Sequence, residues 1–228
     1  MFKIGGSKKS LPKHIAITVE DVAKDKTIEE LYRLKFRKIE EFISLAIRLN
    51  VRIVTFYLTP LSAEKLDSFP SIVDAIVDFF DALSKSKALA ESKIRVSVLG
   101  KWYDLPDRAV EKIKKIIDET HDYNDFFVNF CVNYDGQQEI VDAVRIIGRM
   151  IKAGRLDPDV ITKPLIKENI YTSYFVPPEL IIKNGRKELN SFLLWDSAHS
   201  LIYFTDKFFL DLNKTDLIKA IGFYTRGQ

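Results

Sequence analysis

Cys131 is the only cysteine in the 228 residues, so no internal disulfide framework can hold the chain together, and such sparing use fits a reducing compartment. Three scattered histidines add little, and together these residues do not make a His/Cys zinc site of the usual kind. Excess charge is missing too. The 35 Lys and Arg stand against 32 Asp and Glu, a net +3, which gives nucleic-acid binding by bulk charge no support, and no nucleic-acid partner is expected. No apolar stretch reaches the ~20 residues of a membrane span; the most apolar helical segment, Ser71 to Leu83, is interrupted by Asp74, Asp78 and Asp81. Residues Met1 to Lys13 hold four lysines and two adjacent glycines but no apolar core of a secretion signal. A cytoplasmic chain is expected. Lys3, Lys8, Lys9 and Lys13 either form a solvated tail or sit peripherally on anionic lipid headgroups.

What is present is ordinary globular material. Hydrophobic residues make up 46% and charged residues 29%, which excludes wholesale disorder, and the length suits one core. The expected organisation is a basic tail over 1–13 and a single domain over 14–228. Short apolar runs alternate with stretches of helical period. Strands are predicted at His14–Val19, Val51–Leu58 (ended by Pro60), Lys93–Leu99, Asp125–Val132, Glu179–Lys183 and Leu201–Phe204. Helices are predicted from about Thr27 to Asn50, after Pro70, from Pro106 in a first turn, from Gln137 to Lys152 with a stop at Gly154, and from Asn213 to Gly222. That alternation implies an α/β fold: a mostly parallel central sheet of about six strands with helices on both faces.

In such sheets ligands gather at the carboxyl ends of the strands. The first strand runs into Glu20-Asp21-Val22-Ala23-Lys24-Asp25-Lys26, which has no glycine, whereas a phosphate-cradling loop needs glycines for its N–H groups to approach the anion. Two carboxylates would repel a diphosphate unless a metal intervened. Glu20 is therefore either a metal ligand or part of a solvated turn. Ile72, Ile76, Phe79, Phe80 and Leu83 form an apolar helical stripe, read first as core packing. His14 and His199 lack an acid or nucleophile at motif spacing and read as structural, with a subunit interface as a second reading for His199. Cys131, inside an apolar strand, reads as a buried small hydrophobe.

Several ordered segments resemble the cis-prenyltransferases, the relatives of undecaprenyl and dehydrodolichyl diphosphate synthases, over nearly the whole chain. The most specific are Asn133-Tyr134-Asp135-Gly136 with Glu139-Ile140-Val141-Asp142-Ala143, then Ser191-Phe192-Leu193-Leu194-Trp195, then Tyr203-Phe204-Thr205-Asp206. The same register exposes losses. Glu20, Asp21, Ala23 and Asp25 stand in the family's D-G-N-G-R-W segment, Leu31-Tyr32-Arg33-Leu34-Lys35 in its G-H-x-x-G, and Pro60-Leu61-Ser62-Ala63-Glu64 in its S-T-E-N-W. Lys183-Asn184-Gly185-Arg186-Lys187-Glu188 replaces its R-T-S-G-E-x-R, and Leu201 replaces its late metal-binding glutamate.

The resemblance implies polyprenyl diphosphate chemistry, in which Mg²⁺ and cationic donors stabilise a diphosphate leaving group. The losses imply that this chain is inactive alone and binds no cofactor by itself, Mg²⁺ belonging to an active cis-prenyltransferase partner in a heterodimer or heterotetramer. It would then resemble the degenerate subunit of the Nogo-B receptor type, in dolichol-type lipid-carrier synthesis. Two alternatives stand beside it: a self-sufficient homodimer using Glu20 and Lys183 in altered roles, and a polyprenyl-lipid binding module without turnover. Residues implied to meet diphosphate are Lys183, Arg226 and Gly227, the last two read either as a tail reaching a partner's site or as a frayed terminus. Glu20 takes the metal position, and Ile72, Ile76, Phe79, Phe80 and Leu83 the wall of a hydrophobic tunnel. Trp195, His199, Tyr203, Phe204 and Asp206 are implied at a dimer contact.

Overall fold

The structure, a computed structural model, describes residues 10–22, 25–58 and 67–228. Ala23, Lys24, the Pro60-to-Glu64 segment and the lysines at 3, 8 and 9 lie outside them. Six strands form one sheet: β1 (His14–Thr18), β2 (Ile53–Tyr57), β3 (Ile94–Leu99), β4 (Phe126–Cys131), β5 (Leu180–Asn184) and β6 (Leu201–Thr205), in the order β3-β4-β2-β1-β5-β6. Every pairing is parallel. The helices are α1 (Ile28–Arg48), α2 (Phe69–Ser84), α3 (Lys87–Glu91), α4 (Asp107–Thr120), α5 (Gly136–Lys152), α6 (Lys163–Asn169) and α7 (Lys214–Arg226).

Local chemistry sets the helix starts. Thr27 and Glu30 form a capping box on α1, with Glu30 N 3.2 Å from the threonine hydroxyl and Thr27 N 2.9 Å from the glutamate. Asp135 caps α5 by accepting from Gln137 N at 2.7 Å and Gln138 N at 3.1 Å. Asn213 caps α7 in a second box with Asp216. Pro106 is the residue before α4 rather than part of its first turn. Its extended backbone (ψ 144°) cannot belong to the helix. Helix α7 passes the expected stop at Gly222 and runs to Arg226, because Phe223 packs on Tyr203 (ring centroids 5.5 Å apart) and Tyr224 is buried. Short α3 and α6 had no predicted counterpart.

Alternate strand residues divide two unequal layers. Ile15, Ile17, Val54, Phe56, Val96, Val128, Phe130 and Ile182 join the large core formed with α1, α2, α4 and α7. The opposite face carries a smaller cluster of Ala16, Tyr57, Leu99, Cys131, Tyr134, Ile181, Phe192 and Leu193. Ile72, Ile76, Phe79, Phe80 and Leu83 belong to the large core, each at most 4% exposed. Phe79 stacks on Phe36 at 4.3 Å, and Phe79 and Phe80 meet the Phe130 ring edge-on. The stripe packs in the core, and Phe79 also borders a cavity of about 400 Å³ between α1 and α2. The chain enters the sheet before the expected boundary at residue 14, since Pro12 is buried and the Lys13 carbonyl accepts from Ile53 N at 2.9 Å. Among the described residues no helix is long and apolar enough to cross a membrane.

Candidate functional site

Strand order turns around β1, with β2 on one side and β5 on the other, so the crevice of a parallel sheet falls at the carboxyl ends of these strands. Glu20 sits there, two residues past β1. Lys183 from β5 reaches it: its Nζ is 2.7 Å from Glu20 Oε1 and donates to the Asn184 carbonyl at 3.1 Å. The Lys183 side chain is fully buried and that of Glu20 partly so, at 13% exposed. Asn190 Nδ2 donates to the same Glu20 oxygen at 2.9 Å, and the Arg186 N–H to the other at 3.3 Å. Asn184 ties the strand ends together, its Nδ2 donating to the Glu20 carbonyl at 2.8 Å while its Oδ1 accepts from the Thr18 hydroxyl at 2.7 Å. Phe209 N donates to the Glu20 carbonyl, and Asp21 accepts from Leu210 N, both at 2.9 Å.

A second lysine stands beside this acidic pair. Lys35 on α1 is only 6% exposed, and its ammonium lies 5.1 Å from the Tyr32 ring centroid. Burial lowers its pKa, opposed by the charges of Asp21 and Glu20. Burial in turn raises the pKa of Asp21, opposed by the Leu210 N–H and by Lys35. Lys183, expected at a diphosphate, and Glu20, expected at a metal, pair with each other, and Asn190, Asn184 and Lys35 join them without having been site candidates. Asn190 carries a left-handed φ of 51°, a turn feature with no sequence signal beyond asparagine's tolerance of it.

The segments that carry the resemblance pack on one another. Gly136 donates to the Ser191 carbonyl at 2.9 Å, and a Cβ there would lie 2.3 Å from that oxygen and 3.1 Å from Leu194 Cγ. Phe192 stacks on Tyr57 at 4.7 Å, and Tyr134 meets Tyr57 edge-on. The buried Tyr134 hydroxyl donates to Glu139 at 2.6 Å, and burial, only partly offset by that bond, pushes Glu139 up to about 7. Asp142 meets Lys101 at 3.2 Å and Arg145 at 3.1 Å. These motifs are the joint between α5, the 191–195 turn and the sheet.

His14 is structural. Its Nδ1–H faces the Val176 carbonyl at 2.6 Å, so Nε2 accepts from the Thr55 hydroxyl at 2.8 Å, and burial holds its pKa down to about 4. Cys131 is fully buried, and burial raises its thiol pKa. Trp195 and the exposed His199 line a groove of about 450 Å³ with Lys163, Leu194 and Ala198, over the Lys167–Asp196 ion pair at 2.8 Å. Phe204 is 42% exposed on the edge strand β6, and Asp206 pairs with Lys187 at 3.0 Å.

Within this chain Arg226 and Gly227 lie apart from Lys183. Lys183 is at the carboxyl end of the sheet, whereas a Cβ on Gly227 would lie 2.8 Å from Leu201, the first residue of β6. Lys183 is in register with Phe204, three residues along β6 from Leu201, so roughly 10 Å of strand lies between them. Arg226 is also no frayed residue; it is the exposed last residue of α7.

The Mg²⁺ that the resemblance implies does not fit the donors here. Glu20 Oε1 already takes an ammonium and an amide, Oε2 takes a backbone N–H, and Leu201 supplies no ligand. Among the described residues no group of three or more His, Cys, Asp and Glu side chains is placed to hold a metal ion.

Comparison with known proteins places this architecture. Residues 20–228 match the prenyltransferase family model described for undecaprenyl diphosphate synthase. The tritrans,polycis-undecaprenyl-diphosphate synthase (geranylgeranyl-diphosphate specific) of Methanopyrus kandleri is 36% identical over 92% of this chain and 81% of its own length. An isoprenyl transferase of Streptococcus pyogenes is 31% identical over 96% of this chain and 92% of its own. The crystal structure of lavandulyl diphosphate synthase from Lavandula x intermedia, in complex with dimethylallyl diphosphate, superimposes with a TM-score of 0.88 at 23% identity. It covers 94% of this chain and 95% of the other, a likeness of fold.

Proposed function

The chain belongs to the undecaprenyl diphosphate synthase family of prenyltransferases, and from that membership we propose that it serves cis-prenyl chain elongation as the accessory subunit of a heteromeric enzyme. The observation that carries this reading is the Glu20 carboxylate, whose oxygens are taken by Lys183, Asn190 and the Arg186 N–H. A diphosphate leaving group needs cationic stabilisation where its charge develops, and of the two buried ammoniums at this crevice Lys183 is committed to an internal carboxylate. In this reading a partner with the full motif set supplies metal and diphosphate binding. This chain supplies the scaffold and, through the exposed Arg226 at the end of α7, a donor for the partner's diphosphate. The occupant is a polyprenyl diphosphate, and the pathway one of lipid-carrier synthesis. The domain begins by the buried Pro12 and runs to 228, preceded by a basic tail that is either solvated or peripheral at an anionic membrane surface.

A second reading is a self-sufficient homodimer that condenses isopentenyl diphosphate with an allylic diphosphate, and the names of the relatives favour it: those from Methanopyrus and Streptococcus are named as synthase and transferase. Co-expression with a full-motif homologue from the same genome separates the two. The accessory reading expects a stable complex whose turnover exceeds that of the homologue alone. It also expects Arg226→Ala to lower that turnover about tenfold, the scale of one lost charge-assisted contact, without dissolving the complex or shifting its melting temperature. No complex, with a homologue fully active by itself, would overturn it.

A further inference from the structure

We propose that the Lys183 ammonium is a tethered counter-cation that takes the place of a divalent ion beside Glu20, so that this crevice is closed and metal-independent. The inference deepens the proposed function and rests on it in one respect, that Glu20 occupies the family's metal position.

A fully buried ammonium is tolerated only when paired and hydrogen-bonded. Lys183 meets both conditions with Glu20 and with the carbonyl of Asn184. Because Lys183 projects from a central strand flanked by β1 and β6, a metal ion arriving at Glu20 would have to displace a cation with nowhere else to go. The surrounding backbone is folded onto the pair. Gly185, at φ 73°, brings the loop so near that a Cβ would sit 3.1 Å from Glu20 Oε2 and 3.3 Å from Phe208. Its N–H is spent on the Lys207 carbonyl at 3.0 Å, and that of Arg186 on Glu20, so neither is left for a phosphate. Charge balance points the same way. Glu20 and Asp21 contribute two negative charges, and the buried Lys183 and Lys35 contribute two positive ones. Among the described residues the two carboxylates are thus already matched by two buried ammoniums, whereas a divalent site needs unmatched negative oxygen donors.

Mn²⁺ titration of the full-length chain, followed by electron paramagnetic resonance and by melting temperature, tests this without reference to turnover. Wild type should show no saturable Mn²⁺ binding into the millimolar range and the same melting temperature in EDTA and in excess Mg²⁺. Lys183→Met should melt lower and regain several degrees when Mn²⁺ is added; Lys183→Met combined with Glu20→Gln should not respond. Saturable binding to wild type that Glu20→Gln abolishes would overturn the proposal, even if the isolated chain proved inactive. Should Lys183→Met fail to fold, wild type against Glu20→Gln still decides the matter.

Discussion

Truncating Lys183 to methionine leaves the partly buried Glu20 carboxylate without its cation, held only by Asn190 and the Arg186 N–H, and should cost less than the ~3–5 kcal/mol of breaking a fully buried pair. Removing both charges, with Glu20→Gln added, should recover most of that loss in denaturant unfolding. Equal destabilisation by the single and double variants would contradict the pairing. Two other buried groups make stability depend on pH in opposite senses. His14 titrates near 6.5 unfolded but at about 4 in the fold, so acid protonates the unfolded chain first and stability falls as pH drops from 6.5 toward 4. Glu139 is raised from 4.5 to about 7; here the folded state holds the proton more tightly, and stability falls as pH rises through that window. Glu139→Gln should therefore flatten the loss between pH 5 and pH 8 by about 1–3 kcal/mol, measured by unfolding at each pH. An unchanged slope would show that Glu139 is not its source. The sequence made Lys183 and Glu20 visible as departures from a family pattern. Their mutual contact was not legible, because 163 positions separate them and only the sheet order brings β1 beside β5. Asn190 and Lys35 were invisible as partners for the same reason.

Two glycines of α5 show how context decides the effect of one methyl group. Gly136→Ala would drive Cβ to 2.3 Å from the Ser191 carbonyl, forcing α5 away from the 191–195 turn, and should cost about 2–3 kcal/mol or more. Gly148 has nothing within 4 Å of its added Cβ, so Gly148→Ala should stabilise the helix by about 0.5–1 kcal/mol. Thermal melts of both variants check the pair, and a destabilised Gly148→Ala would mean that this exposed face is covered. Most elements could be read from the sequence because their signals are local: short apolar, β-branched runs for β1 to β4, helical period from about Thr27 and from Asn213, Gly154 as a stop. The ends of α7 were only half legible. Gly222 looks like a terminator, yet the helix continues because Phe223 and Tyr224 find partners on β6 and in the core, a tertiary effect absent from the local pattern. The apolar stripe of α2 had two readings of equal period, lining and core, and packing against Phe36 and Phe130 gives the second.

Across the molecule, the residues that keep the family pattern and those that lose it sort by job. Retained positions, Tyr134, Gly136, Phe192 and Tyr203 among them, pack sheet, helix and turn together. Altered ones, Glu20, Asp21, Lys35 and Lys183, surround the crevice. Such a division accords with the proposed accessory role, in which a partner would carry the reacting chemistry. It also explains why the fold was legible and the site was not: scaffold signals are redundant along the chain, whereas the state of a carboxylate depends on one neighbour across the sheet. The most direct test is incorporation of labelled isopentenyl diphosphate by the purified chain alone, with Mg²⁺ and an allylic diphosphate primer. Incorporation should be no higher than in a no-protein control, and sustained turnover by the isolated chain would overturn the accessory role.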